Sequence, residues 1–256
     1  MDIIKKLAQE LTIKEEQAKA AVQLIDEGNT IPFIARYRKE MTGALNDETL
    51  RNLHERLLYL RNLEEKKEQV INAITEQDKM TDDLKKKILA AETLVAVDDL
   101  YRPYRPKKQT RATKAKEKGL EPLANILLLQ ATSKSMEEEA QSFVDEAKGV
   151  VNAKEALAGA KDIIAEMIAD KADYRKSIRN CTMKQGRLVV KAKDEKAESV
   201  YEMYYDFSEE LSKITGYRVL AINRGEKEKF LTVKVEAPDA QIVNALNKTM
   251  IKDNPN

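Results

Sequence analysis

Cysteine and histidine are almost missing from this sequence of 256 residues, which holds one of each, Cys181 and His54. A lone cysteine excludes an intramolecular disulfide and a thiolate zinc site, and a lone histidine excludes a histidine-rich metal centre. No cofactor and no metal is expected. Glycine and proline are scarce, eight and six residues, and aromatics make up only 5%. No apolar run approaches the roughly 18 residues that a membrane-spanning helix needs. The start, MDIIKKLAQE, lacks the apolar stretch of a signal peptide. With so little cysteine, the expected setting is a reducing compartment, the cytoplasm, with no membrane partner. Charge of one sign is also lacking: 45 Lys and Arg face 44 Asp and Glu, a net charge of +1. The chain is therefore no generic polycation, and any contact with nucleic acid must come from patches.

The signatures of common enzymes are missing too. No GxxxxGK[ST] or GxGxxG phosphate loop occurs, and no GxSxG nucleophile elbow. A histidine base would have to be His54, which sits in a leucine-patterned segment between Leu53 and Glu55. Cys181 follows Arg179-Asn180, and no histidine partner that would activate the thiol is in view. Asp98-Asp99 reads as a turn that caps or pairs with nearby arginines. Several converging carboxylates, as two-metal chemistry requires, are not apparent. The expectation is a protein without catalytic activity of its own.

What is present points to helices. Hydrophobic residues are 42% and charged residues 35% of the chain. Ala, Leu, Ile, Lys and Glu dominate, and these lose little freedom in a helix. The fold expected is mainly α: a multi-helix scaffold with a helix-turn-helix-like N-terminal head and a small β-containing C-terminal part. The head, residues 1–46, holds three short helices. They are Ile3 to Glu10, a second opened by a capping box at Thr12-Ile13-Lys14-Glu15 and stopped at Gly28, and Pro32 to Lys39. The scaffold, residues 47–180, begins with Asp47 as a cap. Leu50, Leu53, Leu57, Leu60 and Leu63, then Val70, Ile71 and Ile74, predict a helix of about 30 residues, or about 45 Å. Thr81 caps the next helix, which ends near Glu92. Gly119 ends a short helix after Arg111, and Leu123 to Leu129 is a largely apolar run. Ser135 and Glu138 form a second capping box for a helix running to Gly149. Asn152 with Glu155 starts another, with Leu157, Ala160, Ile163, Ile164, Met167 and Ile168 as its buried stripe. In residues 181–256, Arg187 to Lys193 alternates like a strand. Arg218 to Asn223 and Phe230 to Val235 read as a hairpin around Arg224-Gly225-Glu226. Asp239 to Lys248 closes the chain as a helix, and the polar IKDNPN follows.

One stretch departs from the charge balance. Residues 102–118 carry eight basic side chains and one acid, Glu117. Tyr101 and Tyr104 interleave with Arg102, Pro103, Arg105 and Pro106. Arg102, Arg105, Lys107, Lys108, Arg111, Lys114 and Lys116 could neutralise phosphates, and the two tyrosines could stack on unpaired bases. The same composition also fits tyrosines and prolines packed on the long helix with wet cations around them. A second segment, GNTIPFIARYRKEMTGALND from Gly28 to Asp47, mixes an apolar wedge of Ile31, Phe33 and Ile34 with Arg36, Arg38 and Lys39.

Several phrases resemble the Tex family of bacterial transcription accessory proteins. They are TIPFIARYRKEMTGALND, LRNLHERLLYLRNLEEKK, LYRPYRPKKQTRATKAKEKGLEPLA and, later, YYDFSEELSKI and RVLAINRGEKE. The resemblance covers essentially the whole chain and matches the N-terminal region of the family. It implies further domains that do not fit in this length: an RNase H-like fold generally without catalytic residues, helix-hairpin-helix elements and an S1 RNA-binding domain. The chain is then expected to be an N-terminal fragment. It also implies a helical scaffold, similar to that of a eukaryotic transcription elongation factor, which carries nucleic-acid-binding modules. The family's main affinity is assigned to S1, so binding by this chain is expected to be weak. The resulting expectation is a non-catalytic scaffold that contacts RNA or DNA and works with the transcription machinery. The alternative is a helical adaptor that contacts that machinery without touching nucleic acid.

Overall fold

The structure, a computed structural model, describes residues 2–252. The chain forms two compact units that divide between Tyr104 and Arg105.

The first unit is wholly helical. Helix α1 spans Ile3–Leu11, α2 Glu15–Asp26, α3 Ile31–Tyr37, and α4 Asp47–Thr75. The expected long helix is α4, with 29 residues. Its leucines lie on one face because three- and four-residue steps return to the same side of a helix. Leu50, Leu53, Leu57, Leu60, Leu63, Val70 and Ile74 are all buried, and they meet Leu7, Ala18, Ala21, Leu24 and Ile34 from α1, α2 and α3. Gly28, at φ +85°, follows the end of α2 as expected.

Two caps differ from the sequence reading. Thr12 closes α1 in the left-handed conformation and does not open α2. The second helix starts at Lys14 instead, where the Gln17 side chain accepts the Lys14 N–H at 3.1 Å. A residue already closing one helix cannot supply the extended backbone that an N-cap needs. The cap of α4 is Asn46, whose Oδ1 accepts the Thr49 N–H at 2.7 Å. Asp47 lies in the first turn, where its charge suits the helix dipole. Beyond α4, Thr81 caps α5 (Asp82–Ala90) as expected. An unforeseen helix α6, Leu94–Tyr101, follows its own cap at Thr93 and contains Asp98-Asp99. A 3-10 turn at Arg102–Tyr104 ends the unit.

Two arginines of α4 fasten the head. Arg56 grips Glu10 with Nε and Nη2, and Arg61 holds both oxygens of Asp26 at 2.7 Å. The hydrogen bonds from Arg56 and Arg61 hold the carboxyls of Glu10 and Asp26 below their ordinary values of 4.5 and 3.8. A depressed carboxyl stabilises the fold above its unfolded pKa and loses that contribution as pH falls through the folded one. Acidification below about pH 4.5 is therefore expected to weaken the first unit. The effect of each pair is under about 1 kcal/mol, because the groups remain partly solvated. Comparing thermal unfolding at pH 7 and pH 3 for the natural chain and Arg61→Gln checks this. The variant should show the smaller acid loss, and equal losses would refute the assignment.

In the second unit, α7 (Arg111–Glu117) and α8 (Glu121–Leu129) meet at Gly119, which sits at φ +81°. Helix α9 covers Met136–Gln141, opened by the expected Ser135–Glu138 capping box. It stops at Gln141, short of Gly149. The reason is a backbone exchange between Asp145 and Val150, N–H to O at 3.0 and 2.9 Å, which folds the chain back around a 3-10 turn. Asn152 caps α10 (Ala153–Asp170), and α11 is Ala172–Gln185. The second core joins Ala112, Ala115, Leu120, Leu123, Ala140 and Val150 to Ala156, Ala160 and Ile163 of α10. The expected stripe on α10 narrows at its end, where Met167 is exposed. Gly159 lets Leu120 approach so closely that a Cβ there would lie 2.4 Å from Leu120 Cδ1.

A three-stranded antiparallel sheet follows, in the order β2-β1-β3: β1 Arg187–Ala192, β2 Asp206–Glu210, β3 Leu231–Glu236. The expected hairpin is not formed. Arg218 to Asn223 lies in helix α12, Gly216–Lys227, and β3 pairs with β1, Val190 opposite Val233. A short apolar run such as Val219 to Ile222 fits either state by periodicity. Tertiary packing decides it, since Ile222 and Gly225 are buried, Gly225 against Leu231 and Tyr201. The third core is Val190, Tyr201, Tyr204, Ile222 and Leu231. Helix α13, Asp239–Met250, comes last, and the tail beyond Lys252 lies outside the described residues. Among the described residues no helix is long and apolar enough to cross a membrane.

Candidate nucleic-acid interface

The sequence-predicted cations divide between the two units. In the first, Arg36, Arg38 and Lys39 are exposed at the end of α3 and in the turn after it. With Tyr37, Glu40, Met41, Leu24 and Glu27 they line a cleft of about 640 Å³. The turn is held from below. Thr42 is fully buried, and its hydroxyl donates to the Arg38 carbonyl at 3.2 Å. The Gln17 amide of α2 donates to the carbonyls of Thr42 and Gly43 at 3.2 and 3.0 Å. Gly43 is required twice over. Its φ is +60°, and a Cβ there would sit 2.7 Å from Gln17 Nε2.

Planar groups stack on this turn. Phe33 and Tyr37 lie one helical turn apart, with ring centroids at 5.3 Å, and the Arg38 guanidinium sits 5.0 Å from the Phe33 centroid. Arg38 also donates to the Tyr37 carbonyl at 3.2 Å. Arg36 and Lys39 pair with no carboxylate among the described residues. Sequence reasoning missed Tyr37 and Gln17. The i, i+4 spacing of Phe33 and Tyr37 was the available signal for the first. Gln17 lies 25 residues from Thr42 and gave none.

The basic stretch straddles the unit boundary and is largely committed to internal contacts. Tyr101 and Tyr104 pack partly buried against the first core, and the Tyr104 carbonyl accepts from Gln77 Nε2 at 3.0 Å. Lys107 donates to Asp170 and lies 3.3 Å from Glu166 Oε2, both near the end of α10. Asp170 is buried, so Lys107 compensates a carboxylate that would otherwise be poorly solvated. Arg111 Nε is 3.5 Å from Asp162, although the Arg111 side chain stays 87% exposed. Lys116 pairs with Glu121 at 3.0 Å, and Lys118 donates to the Gly149 carbonyl at 2.7 Å. Arg102, Arg105, Lys108 and Lys114 are exposed.

The remaining candidates are placed as follows. His54 is half-buried on α4, and Asp98 pairs with Lys66 at 3.6 Å. Cys181, partly exposed on α11, lines a small cleft against α13. Among the described residues no group of His, Cys, Asp and Glu is placed to hold a metal ion.

Comparison with known proteins gives the chain its relatives. Residues 1–75 match the model of the Tex-like protein N-terminal domain, and residues 131–254 match the Tex central region-like model. The Bacillus subtilis protein YdcI is 44% identical over 250 residues, 96% of this chain and 35% of that protein. The transcriptional accessory protein Tex of Neisseria gonorrhoeae is 41% identical over 239 residues, 92% of this chain and 31% of that protein. The human S1 RNA-binding domain-containing protein 1 is 32% identical over 247 residues, 93% of this chain and 24% of that protein. The chain thus spans about a third or less of the length of these relatives. With residues 1–75 and 131–254 each matching a Tex domain, and with a Tex protein 41% identical over 92% of this chain, the chain belongs to the Tex family.

Proposed function

We propose that this chain is a non-catalytic, nucleic-acid-binding scaffold of the transcription accessory type, acting in the cytoplasm. The observation that carries the reading is the α3 turn. There Arg36 and Lys39 are exposed and unpaired by carboxylates among the described residues, beside Arg38 and Tyr37 on a backbone fastened by Gln17 and Thr42. Because the backbone of the turn is already held, meeting a phosphate orders the side chains alone, which lowers the entropy lost on binding. The relatives support the same reading, since one is named a transcriptional accessory protein and another for an S1 RNA-binding domain. Lys108, Arg111 and Lys114 are accessory contacts on the second unit.

Three phosphates neutralised on a single strand give a log–log salt slope of about −2. Titrating labelled single-stranded RNA and duplex DNA with the chain at 50 and about 200 mM salt measures it. The expected affinity is micromolar or weaker and falls with salt. A second reading, a helical adaptor for the transcription machinery, is favoured by the internal commitments of Lys107, Lys116 and Lys118. No binding at the lower salt would leave that reading in place, and capture of RNA polymerase by the chain would then test it.

A further inference from the structure

We infer that Tyr37 is a stacking platform for an unpaired nucleobase, which makes the α3 turn a single-strand site. The inference rests on the nucleic-acid reading above and deepens it. Single exposed aromatic side chains are ordinary on protein surfaces. Tyr37 differs in its surroundings. The residue is 65% exposed, yet its ring meets Phe33, tilted by 47° with centroids 5.3 Å apart. Phe33 is itself covered by the Arg38 guanidinium at 5.0 Å. The ring therefore has Phe33 against one side and solvent on the other, and a base laid on its open face gains contact there.

The charges sit where a strand needs them. Arg36 precedes Tyr37 and Lys39 follows two residues later, so cations flank the ring along the chain. Phosphates on either side of a stacked base would meet positive charge in the same cleft. Glu27 and Glu40 also line that cleft, which keeps its net charge modest and the affinity dependent on the base as well as the phosphates. The volume, about 640 Å³, lies in the range of small-molecule sites. A duplex offers no free base face, because its bases are stacked on each other, whereas unpaired bases can be splayed onto aromatic rings.

The chain contains no tryptophan, so Tyr37→Trp gives a fluorophore that reports on this position alone. The full chain carrying that change is titrated with a single-stranded oligonucleotide, with a strand of the same length bearing abasic sites, and with duplex. The expected result is quenching by the base-bearing strand and none by the abasic strand, although both bind with the same salt dependence. Tyr37→Ala in the unlabelled chain is expected to weaken single-strand binding roughly tenfold and leave duplex binding unchanged, while Tyr37→Phe keeps the natural affinity. Binding without quenching, or Tyr37→Ala binding the single strand as tightly as the natural chain, would overturn the inference and leave the phosphate contacts standing. Failure to bind any strand at low salt would overturn both.

Discussion

Replacing Lys67 by alanine is expected to destabilise the first unit by about 3 kcal/mol. This lysine lies inside α4 with 1% of its side chain exposed, among leucines that otherwise fill the seam. Its ammonium donates to Glu64 Oε1 at 2.8 Å and to the Leu89 carbonyl at 2.9 Å. Leu89 is near the end of α5, where carbonyls have no partner within their own helix, so Lys67 closes α5 from the neighbouring helix. Alanine removes three things at once: the packed methylene stem, the ion pair and the donor to that carbonyl. Breaking a fully buried pair costs about 3–5 kcal/mol. Glu64 keeps 26% of its side chain exposed and can rehydrate, which places the value at the lower end. Lys67→Met keeps the stem and should cost about half as much. Urea unfolding of the natural chain and the two variants measures the differences. A loss for Lys67→Ala within about 0.5 kcal/mol of zero, the range of ordinary surface substitutions, would mean that the ammonium contributes nothing there.

The same residue shows what a sequence conveys and what it hides. The long helix was legible, because a helical period sustained over 29 residues has no strand alternative and its leucines needed no distant partner to be recognised. Caps at Thr81, Ser135 and Asn152 were legible for a similar reason, since each hydroxyl or amide serves an N–H only three residues away. Lys67 was not legible as a core residue. Its burial depends on a carbonyl 22 residues away. Strand β2, DFSEE, was also missed, because only Phe207 marks its buried face. In the register Glu210 stands opposite Arg187 and Asp206 opposite Lys191, while Glu209 takes a hydrogen bond from Arg218 of α12 at 2.6 Å and Glu210 pairs with Lys213 at 2.9 Å. Such cross-strand pairs form only once the register exists.

The candidate site divides in the same way. Counting cations marked residues 102–118 as the place to look, but a count cannot say which cations are already answered. Lys107 finds Asp170 across 63 residues, and Tyr101 and Tyr104 turn into the first core. The shorter cluster at Arg36, Arg38 and Lys39 has the smaller charge and the freer surface. Tyr37, which stands among these cations, was marked in the sequence only by its i, i+4 spacing from Phe33.

Under the proposed function the main phosphate contacts lie on the α3 turn. The triple change Arg36→Gln, Arg38→Gln, Lys39→Gln removes three charges without introducing repulsion. It is expected to weaken single-strand binding about 100-fold near 50 mM salt and to reduce the log–log salt slope by about 2. All three side chains are exposed, so unfolding should change little. The parallel triple Lys108→Gln, Arg111→Gln, Lys114→Gln should lower the slope by less than about 1, since Arg111 is already shared with Asp162. The decisive measurement is the salt slope of the natural chain and both triples on the same labelled strand. A slope that collapses with the α3 triple and survives the second is the predicted result. A slope that survives the α3 triple and collapses with the second would contradict the account and return the function to the basic stretch.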